Sequence, residues 1–192
     1  MPRHADIDLE SRILDAAYRL WSKRGERALT MRAVARASGT STPTVYQRFR
    51  NKEELLERLR SQARQNLFHA IQPGRSLTEI FERYLEFAAR YPHEYELLSR
   101  SWAARLTRNE PRPGHQLVRE RLAERLGGSP GRHRRLALAL TALAHGTSNL
   151  LLQEGVHERI SRELRRACIA AVEALVEGAS GSAFRLKQRS RR

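Results

Sequence analysis

The side chains best suited to chemistry lie between Thr30 and Phe49, in the segment TMRAVARASGTSTPTVYQRF. Its second half is rich in hydroxyl, amide and guanidinium groups. Hydroxyls bond phosphate oxygens, Gln47 can meet an adenine edge with two hydrogen bonds, and Arg48 can reach guanine or the backbone. The chemistry predicted by these residue types is recognition of duplex DNA.

Two short helices joined by a turn would position these groups. The first should begin at Thr30, whose hydroxyl can accept from free backbone amides, and should end near Gly39, because glycine reaches positive φ at little steric cost. The second should begin at Ser41 or Thr42, with Pro43 in its first turn, where a missing amide proton does no harm. The apolar side of the first helix would be Met31, Val34, Ala35 and Ala37.

The second helix is predicted to have one inward and one outward face. Val45 and Phe49, four residues apart, supply the inward face. The outward face is left with Thr42, Thr44, Tyr46, Gln47 and Arg48. An ordinary helical hairpin is the alternative, since helix-turn-helix spacing alone has many false positives.

Amphipathic helices on both sides decide between these alternatives. The upstream helix ends at Gly25 and has an apolar face of Ile13, Leu14, Ala17, Leu20 and Trp21. Downstream, Asn51 and Glu54 form an N-cap and N3 pair that opens a longer helix. Its apolar residues are Leu55, Leu56, Leu59, Ala63 and Leu67.

In this order and spacing, residues from about Asp8 to Leu67 resemble the N-terminal domain of the TetR family of bacterial transcriptional regulators. The stretches RILDAAYRLWSKRG and ALTMRAVARASGTSTPTVYQRFRNKEELL carry the resemblance. It implies an all-α fold in which a three-helix helix-turn-helix DNA-binding domain is followed by a larger helical domain. The implied division is a DNA-binding domain at 8–68, with the helix-turn-helix at 30–49, and a ligand-binding and dimerisation domain at 69–179. The basic composition of residues 180–192 separately predicts a disordered tail.

The resemblance also implies roles for single residues. Thr30 would present its helix start to a phosphate, and Lys52 would hold the DNA backbone at the head of the fourth helix. Gln47 and Arg48 are the expected base-reading residues. The complete set of expected DNA contacts is Thr30, Ser41, Thr42, Pro43, Thr44, Tyr46, Gln47, Arg48 and Lys52.

Two departures from the family pattern bear on the operator. The family often has lysine-glycine where this chain has Thr42-Pro43, and often an aromatic residue where this chain has Arg48. The DNA contact that the lysine of this lysine-glycine pair makes in the family is therefore not carried over to this chain. The operator sequence cannot be inferred from relatives.

Composition limits the other classes of function. The net charge of +15 fits a nucleic-acid partner, but the excess is spread along the chain and all basic residues except Lys23, Lys52 and Lys187 are arginine, so charge carries little weight here. The single cysteine excludes an internal disulfide, and no apolar run is long enough to cross a membrane. With no visible signal peptide, the expected location is the cytoplasm.

Catalytic motifs are missing from the sequence. It has no HExxH, GxSxG or phosphate-loop pattern, and its seven histidines form no i, i+4 pair. An RNA binder would normally show stacking aromatics on strands or loops, and none are found. We therefore expect no catalytic residues, no metal and no cofactor.

Beyond residue 70, glycine and proline clusters separate further helices, without any strand pattern. The resemblance implies an inducer pocket in this middle region, where aromatic residues are concentrated. His69, His93 or His115 could supply its polar groups. The candidate pocket residues are Phe68, Phe81, Tyr84, Phe87, Tyr91 and Trp102. Ordinary core packing is the alternative for each of these rings.

The last two helices are predicted to form a dimer interface. Apolar groups surround most of the segment 132–153, and the final helix carries a continuous apolar stripe. The candidate interface residues are Leu136, Leu140, Leu143, Gly146, Leu150, Leu164, Cys168, Ala171 and Leu175. The alternative is a core within one chain.

These expectations combine into a dimeric repressor that binds an inverted-repeat operator in double-stranded DNA and is released by a small apolar ligand. The alternative is a regulator of the same fold without a small-molecule inducer, controlled by a partner protein or by its own concentration.

Overall fold

The computed structural model describes residues 3–107 and 112–180, with side chains from residue 8 to 101 and from 112 onward. Regular structure in these ranges is entirely helical, so the all-α prediction is confirmed. The helices are α1 (Arg3–Arg24), α2 (Met31–Ser38), α3 (Thr42–Arg48), α4 (Lys52–Ile71), α5 (Leu77–Arg90), α6 (Pro92–Thr107), α7 (Pro113–Leu126), α8 (Arg134–Leu151) and α9 (Glu158–Ser180). Two 3₁₀ turns, Glu26–Ala28 and Pro130–His133, precede α2 and α8.

Residues 181–192, which make up almost all of the expected basic tail, lie outside the described part of the chain. Within that part, no helix combines the length and the apolar content needed to cross a membrane.

The chain forms two compact units. Unit 1 contains α1, α2, α3, α4 as far as Asn66, and α6; unit 2 contains the end of α4, α5, α7, α8 and α9. The sequence interpretation assigned α6 to the second domain, whereas this helix packs with the N-terminal helices. Contacts of α6 with this part of the chain include Leu97 in the apolar core and a hydrogen bond that Trp21 Nε1 of α1 donates to the His93 carbonyl at 2.9 Å.

Unit 1 has one continuous apolar core. The inward faces of the first four helices meet in it, and Leu97 of α6 joins them. The buried members are Ile13, Ala17, Trp21, Leu29, Met31, Val34, Ala35, Val45, Phe49, Leu55, Leu56, Leu59 and Leu97. This core supports α2 and α3 from beneath.

A buried polar network also connects three helices of unit 1. Glu94 of α6 is only 2% exposed, and its carboxylate accepts a short hydrogen bond from the Tyr18 hydroxyl of α1. Asn66 Nδ2 of α4 donates to the Tyr18 hydroxyl oxygen at 2.9 Å and to Glu94 Oε2 at 3.1 Å. Burial, followed by the hydrogen bond to Glu94, raises the pKa of Tyr18. The network satisfies polar groups that would otherwise be buried without partners.

Unit 2 is built around the inward faces of α5, α7, α8 and α9. Its buried residues include Ile80 and Leu85 of α5, Leu122 of α7 and Leu140 of α8. The chain enters α5 through a close approach, because a Cβ on Gly74 would lie 2.8 Å from Ile80 Cγ1. Glycine is therefore required at this position.

Candidate nucleic-acid interface

The first helix of the predicted pair has the expected ends. Thr30 is the N-cap of α2, and its Oγ1 accepts from the Ala33 amide at 3.1 Å. Gly39 ends the helix with φ of 67°, the left-handed conformation that glycine adopts most easily. Both boundary predictions are confirmed.

The prediction that Ala37 lies on the inward face of α2 is wrong. Ala37 is exposed, whereas Val34 and Ala35 are buried. Helical geometry places position 38 over position 34, and Ser38 occupies that place with its hydroxyl donating to the Val34 carbonyl at 2.8 Å. Ala37 lies off this face.

The second helix of the pair, α3, is also capped as predicted. Ser41 Oγ accepts from the Thr44 amide at 3.2 Å, and Pro43 lies in the first turn. Val45 and Phe49 are 0% and 1% exposed, which confirms them as the inward face. Since the inward positions are occupied by apolar groups, the polar side chains of α3 are directed away from the core.

The expected DNA contacts all reach the surface of unit 1. Tyr46 is 50% exposed, and Gln47 beside it is exposed as well. The other exposed members are Thr30, Ser41 and Pro43, and the partly buried members are Thr42, Thr44, Arg48 and Lys52. Together, these exposed and partly buried side chains form the reading face.

The head of α4 lies beside the reading face. Asn51 Oδ1 accepts from the Glu54 amide at 2.9 Å, which confirms the predicted N-cap. In the other direction, the Arg50 amide donates to Glu54 Oε2 at 2.9 Å, and this bond lowers the pKa of Glu54. Lys52, in the first turn of α4, is thereby fixed next to the end of α3.

Sequence reasoning missed an acidic partner of Lys52. Lys52 Nζ donates to the Glu26 backbone carbonyl at 3.4 Å and lies 4.0 Å from Glu26 Oε1. Arg100 of α6 binds the other oxygen of the same carboxylate at 2.5 Å. The sequence does show Glu26 as a single acidic residue in a basic stretch. The neighbouring residues do not indicate which cations it contacts.

The candidate pocket residues whose side chains are described have different surroundings. Phe81, Tyr84 and Phe87 are 2%, 7% and 3% exposed and pack in the core of unit 2. Phe68 is half-buried, and Tyr91 follows the end of α5 and is 40% exposed. The side chain of Trp102 lies outside the described residues.

A groove with a volume of about 410 Å³ opens elsewhere in unit 2. Its apolar surface comes from Leu77, Val172 and Val176. The remaining lining residues are Arg75, Ser76, Thr78, Arg121, Glu124, Arg125, Glu173 and Glu177. None of the candidate pocket aromatics whose side chains are described lines this groove.

The histidines suggested as polar groups have different surroundings. His69 is exposed, and His93 Nδ1 lies 3.9 Å from Glu96 Oε2. His115 is 8% exposed with both ring nitrogens lacking a hydrogen-bond partner. Burial, together with the charges of Arg112, Arg119 and Arg134, lowers its pKa to about 4.

The candidate interface residues divide into two groups. Leu136, Leu140 and Cys168 are buried inside unit 2, where they cannot meet a second chain; helical periodicity did not separate their face from the outer one. Burial raises the pKa of the Cys168 thiol. The residues that reach the surface, at least in part, are Leu143, Gly146, Leu150, Leu164, Ala171 and Leu175.

In the described ranges, no cluster of three or more histidine, cysteine or acidic residues could hold a metal ion.

Comparison with known proteins identifies the region that carries the reading face. Residues 13–59 match the family model for bacterial regulatory proteins of the tetR family. A curated relative, the uncharacterized HTH-type transcriptional regulator YvkB of Bacillus subtilis strain 168, is 44% identical over 55 residues. That alignment spans 29% of this chain and 29% of the relative.

Solved structures extend the similarity in fold beyond this region. A TetR-like transcriptional regulator from Rhodococcus sp. RHA1 is 19% identical with a TM-score of 0.56, covering 88% of this chain and 94% of its own. The regulatory protein SCO4313 is 18% identical with a TM-score of 0.66, covering 91% and 100%. A TetR-family regulator from Streptomyces coelicolor is 24% identical with a TM-score of 0.54, covering 87% and 99%.

The helix-turn-helix geometry, the matched residues 13–59 and the shared all-α fold agree with one another. Regulators of this fold and family are not enzymes. Residues 13–59 therefore carry the sequence pattern of bacterial regulatory proteins of the tetR family, and the chain as a whole shares the all-α fold of the solved regulators.

Proposed function

We propose that the protein is a dimeric transcriptional repressor that binds an inverted-repeat operator in double-stranded DNA. The observation that carries the proposal is the reading face, where Tyr46 and Gln47 are exposed on a short helix seated on a buried core. A helix presented in this way can enter the major groove, where amide and guanidinium groups distinguish base pairs. The match of residues 13–59 to the model for bacterial regulatory proteins of the tetR family supports the same function.

The dimer is part of the proposal because α3 has only seven residues and can read only a few base pairs. Two copies related by a two-fold axis double the length of sequence read. Their half-sites would be inverted repeats about 34–36 Å apart, or a multiple of that spacing. The exposed apolar side chains of α8 and α9 support this assembly.

Release by a small ligand bound in unit 2 is the regulatory part of the proposal. A ligand acts only by binding one arrangement of the dimer more tightly than another, so that the population moves away from DNA. The groove beside Leu77, Val172 and Val176 could accept such a ligand, although charged side chains line much of it.

A regulator of the same fold without an inducer is the second candidate. The tight burial of Phe81, Tyr84 and Phe87 favours it, because these rings fill the core of unit 2 instead of lining a cavity. The two candidates differ in one measurement. Small molecules that stabilise the protein against thermal unfolding should also release DNA in the first case and not in the second.

The DNA-binding proposal is tested by gel-shift titration with duplex fragments from upstream of its own gene. Unlabelled RNA and random duplex serve as competitors. We expect the protein to stay bound to one fragment in an excess of random duplex, and its affinity for that fragment to fall steeply as the salt concentration rises. Equal competition by random duplex would show that this fragment contains no operator.

Repression is tested separately with a reporter gene. Transcription that falls on deletion of the protein would make the protein an activator.

A further inference from the structure

The carboxylate of Glu26 is shared by two cations from different helices of unit 1. It belongs to the 3₁₀ turn between α1 and α2. Arg100 Nη1 of α6 lies 2.5 Å from Oε2, and Lys52 Nζ of α4 lies 4.0 Å from Oε1. The Lys52 and Glu26 side chains are 40% exposed and that of Arg100 is 57% exposed. Solvent therefore weakens the electrostatic attraction between these three side chains.

Further contacts hold the Glu26 turn against α6. Arg100 Nη2 binds Glu96 Oε1 at 2.6 Å, which orients the guanidinium towards Glu26. Gly25 lies directly beneath α6, because a Cβ at that position would be 3.4 Å from His93 Nδ1. The position of Glu26 relative to Arg100 is thus set by the backbone as well as by the ion pair.

We infer that Glu26 and Arg100 act as positioning residues that set the strength with which Lys52 holds a DNA phosphate. With Arg100 in place, the two cations Arg100 and Lys52 balance the carboxylates of Glu26 and Glu96 beside the reading face. Without Arg100, the local charge falls by one, and the ammonium group of Lys52 has the Glu26 carboxylate to itself. The phosphate contact then competes with an internal ion pair.

This inference rests on the proposed function and adds a mode of regulation to it. Arg100 lies on α6, while the phosphate contact belongs to the head of α4. Any event that withdraws Arg100 from Glu26 lowers DNA affinity without altering the base-reading side chains. The effect is sequence-independent, since a phosphate contact carries no base information.

The test is a double-mutant cycle on the full chain, measured by fluorescence anisotropy with one fixed duplex at several salt concentrations. Arg100→Ala should weaken binding about two- to fivefold, the range expected of exposed ion pairs, and should flatten the salt dependence. Glu26→Gln should leave binding equal or tighter. In the Glu26→Gln background, Arg100→Ala should have no effect, because no carboxylate is left to capture Lys52.

Two controls separate this mechanism from simpler ones. Arg83→Ala removes the same charge from an exposed position on α5 and should leave affinity unchanged. In a Lys52→Ala background, Arg100→Ala should again have no effect, whereas a variant that merely folds poorly would lose binding there too.

The inference is overturned if Arg100→Ala weakens binding equally in the wild-type and Glu26→Gln backgrounds, which would mean that Arg100 contacts DNA or supports the fold. No loss in either background also overturns it. Wild-type protein that binds no duplex at any salt concentration would instead reject the proposed function, and this inference with it.

Discussion

Gln47 is the residue of the reading face whose removal best separates base reading from general DNA binding. Its amide can form two hydrogen bonds to an adenine edge, and the side chain is exposed on α3. We predict that Gln47→Ala weakens binding to the specific operator by about 1–3 kcal/mol and relaxes selectivity at one or two base pairs. Anisotropy titrations with the operator and its single-base variants measure both effects.

Lys52→Ala is the matched control for that experiment. Loss of a phosphate contact should weaken all duplexes alike and reduce the salt slope by about one contact. If Gln47→Ala behaved in the same way, Gln47 would be a backbone contact, and base reading would have to be assigned to Arg48 or Tyr46.

His115 gives unit 2 a predicted sensitivity to acid. Its pKa is lowered from 6.5 to about 4 in the folded protein, so the unfolded chain takes up the proton first as pH falls. The stability that depends on neutral His115 is present above pH 6.5 and is lost between 6.5 and about 4. The shift corresponds to a loss of up to about 3 kcal/mol.

The measurement is the free energy of unfolding from urea titrations between pH 7 and pH 4, compared between wild type and His115→Leu. Burial also lowers the pKa of His145, which contributes in the same direction to both proteins. The difference between them should therefore change with pH by the His115 share alone. A difference that stays constant over this range would show that His115 is not buried in its neutral form.

At the scale of the helical elements, the boundaries of α2 and α3 could be predicted because their signals are local. Thr30, Gly39 and Ser41 each act on backbone groups within a few residues, so a short stretch of sequence is sufficient to recognise these helix ends. The same holds for Asn51 at the head of α4. Most of the reading face follows from these caps and from the inward pair beneath it.

Features that depend on distant parts of the chain could not be predicted in this way. The association of α6 with α1 depends on partners separated by more than seventy residues, such as Trp21 and His93. Glu26 meets Arg100 for the same reason. In α8 and α9, apolar groups cover several faces, so periodicity could not show that Leu140 and Cys168 point into the core.

The turn between α2 and α3 allows a test of whether backbone conformation alone sets the cost of a substitution there. Gly39 has φ of 67°, and a Cβ there would meet nothing within 4 Å. Gly39→Ala should therefore lower the free energy of unfolding by about 1 kcal/mol through backbone strain alone. Gly178→Ala, equally free of contacts but within α9, should raise it by up to about 1 kcal/mol. Denaturant titrations followed by circular dichroism measure both, and equal signs would contradict the conformational explanation.

At the scale of the whole molecule, the described outer surfaces of α8 and α9 carry apolar side chains that one chain leaves exposed. Leu150 is 45% exposed and Ile160 is 38% exposed. Gly146 is exposed, and a Cβ there would meet nothing within 4 Å, so another helix could approach closely. A second copy of the chain, related by a two-fold axis, would cover the same surface on both partners.

Leu150→Glu is predicted to weaken this assembly, because the carboxylate of each partner would be removed from water in an apolar interface. Sedimentation velocity over a range of concentrations should show a shift from dimer towards monomer. Operator affinity should fall with it, while affinity for random duplex should change much less, since only the operator requires two reading faces at a fixed spacing. Ala89→Glu adds the same charge to an exposed position on α5 and should alter neither property. A Leu150→Glu protein that remains dimeric and keeps full operator affinity would exclude this surface as the interface, and the paired half-sites would then need a different axis.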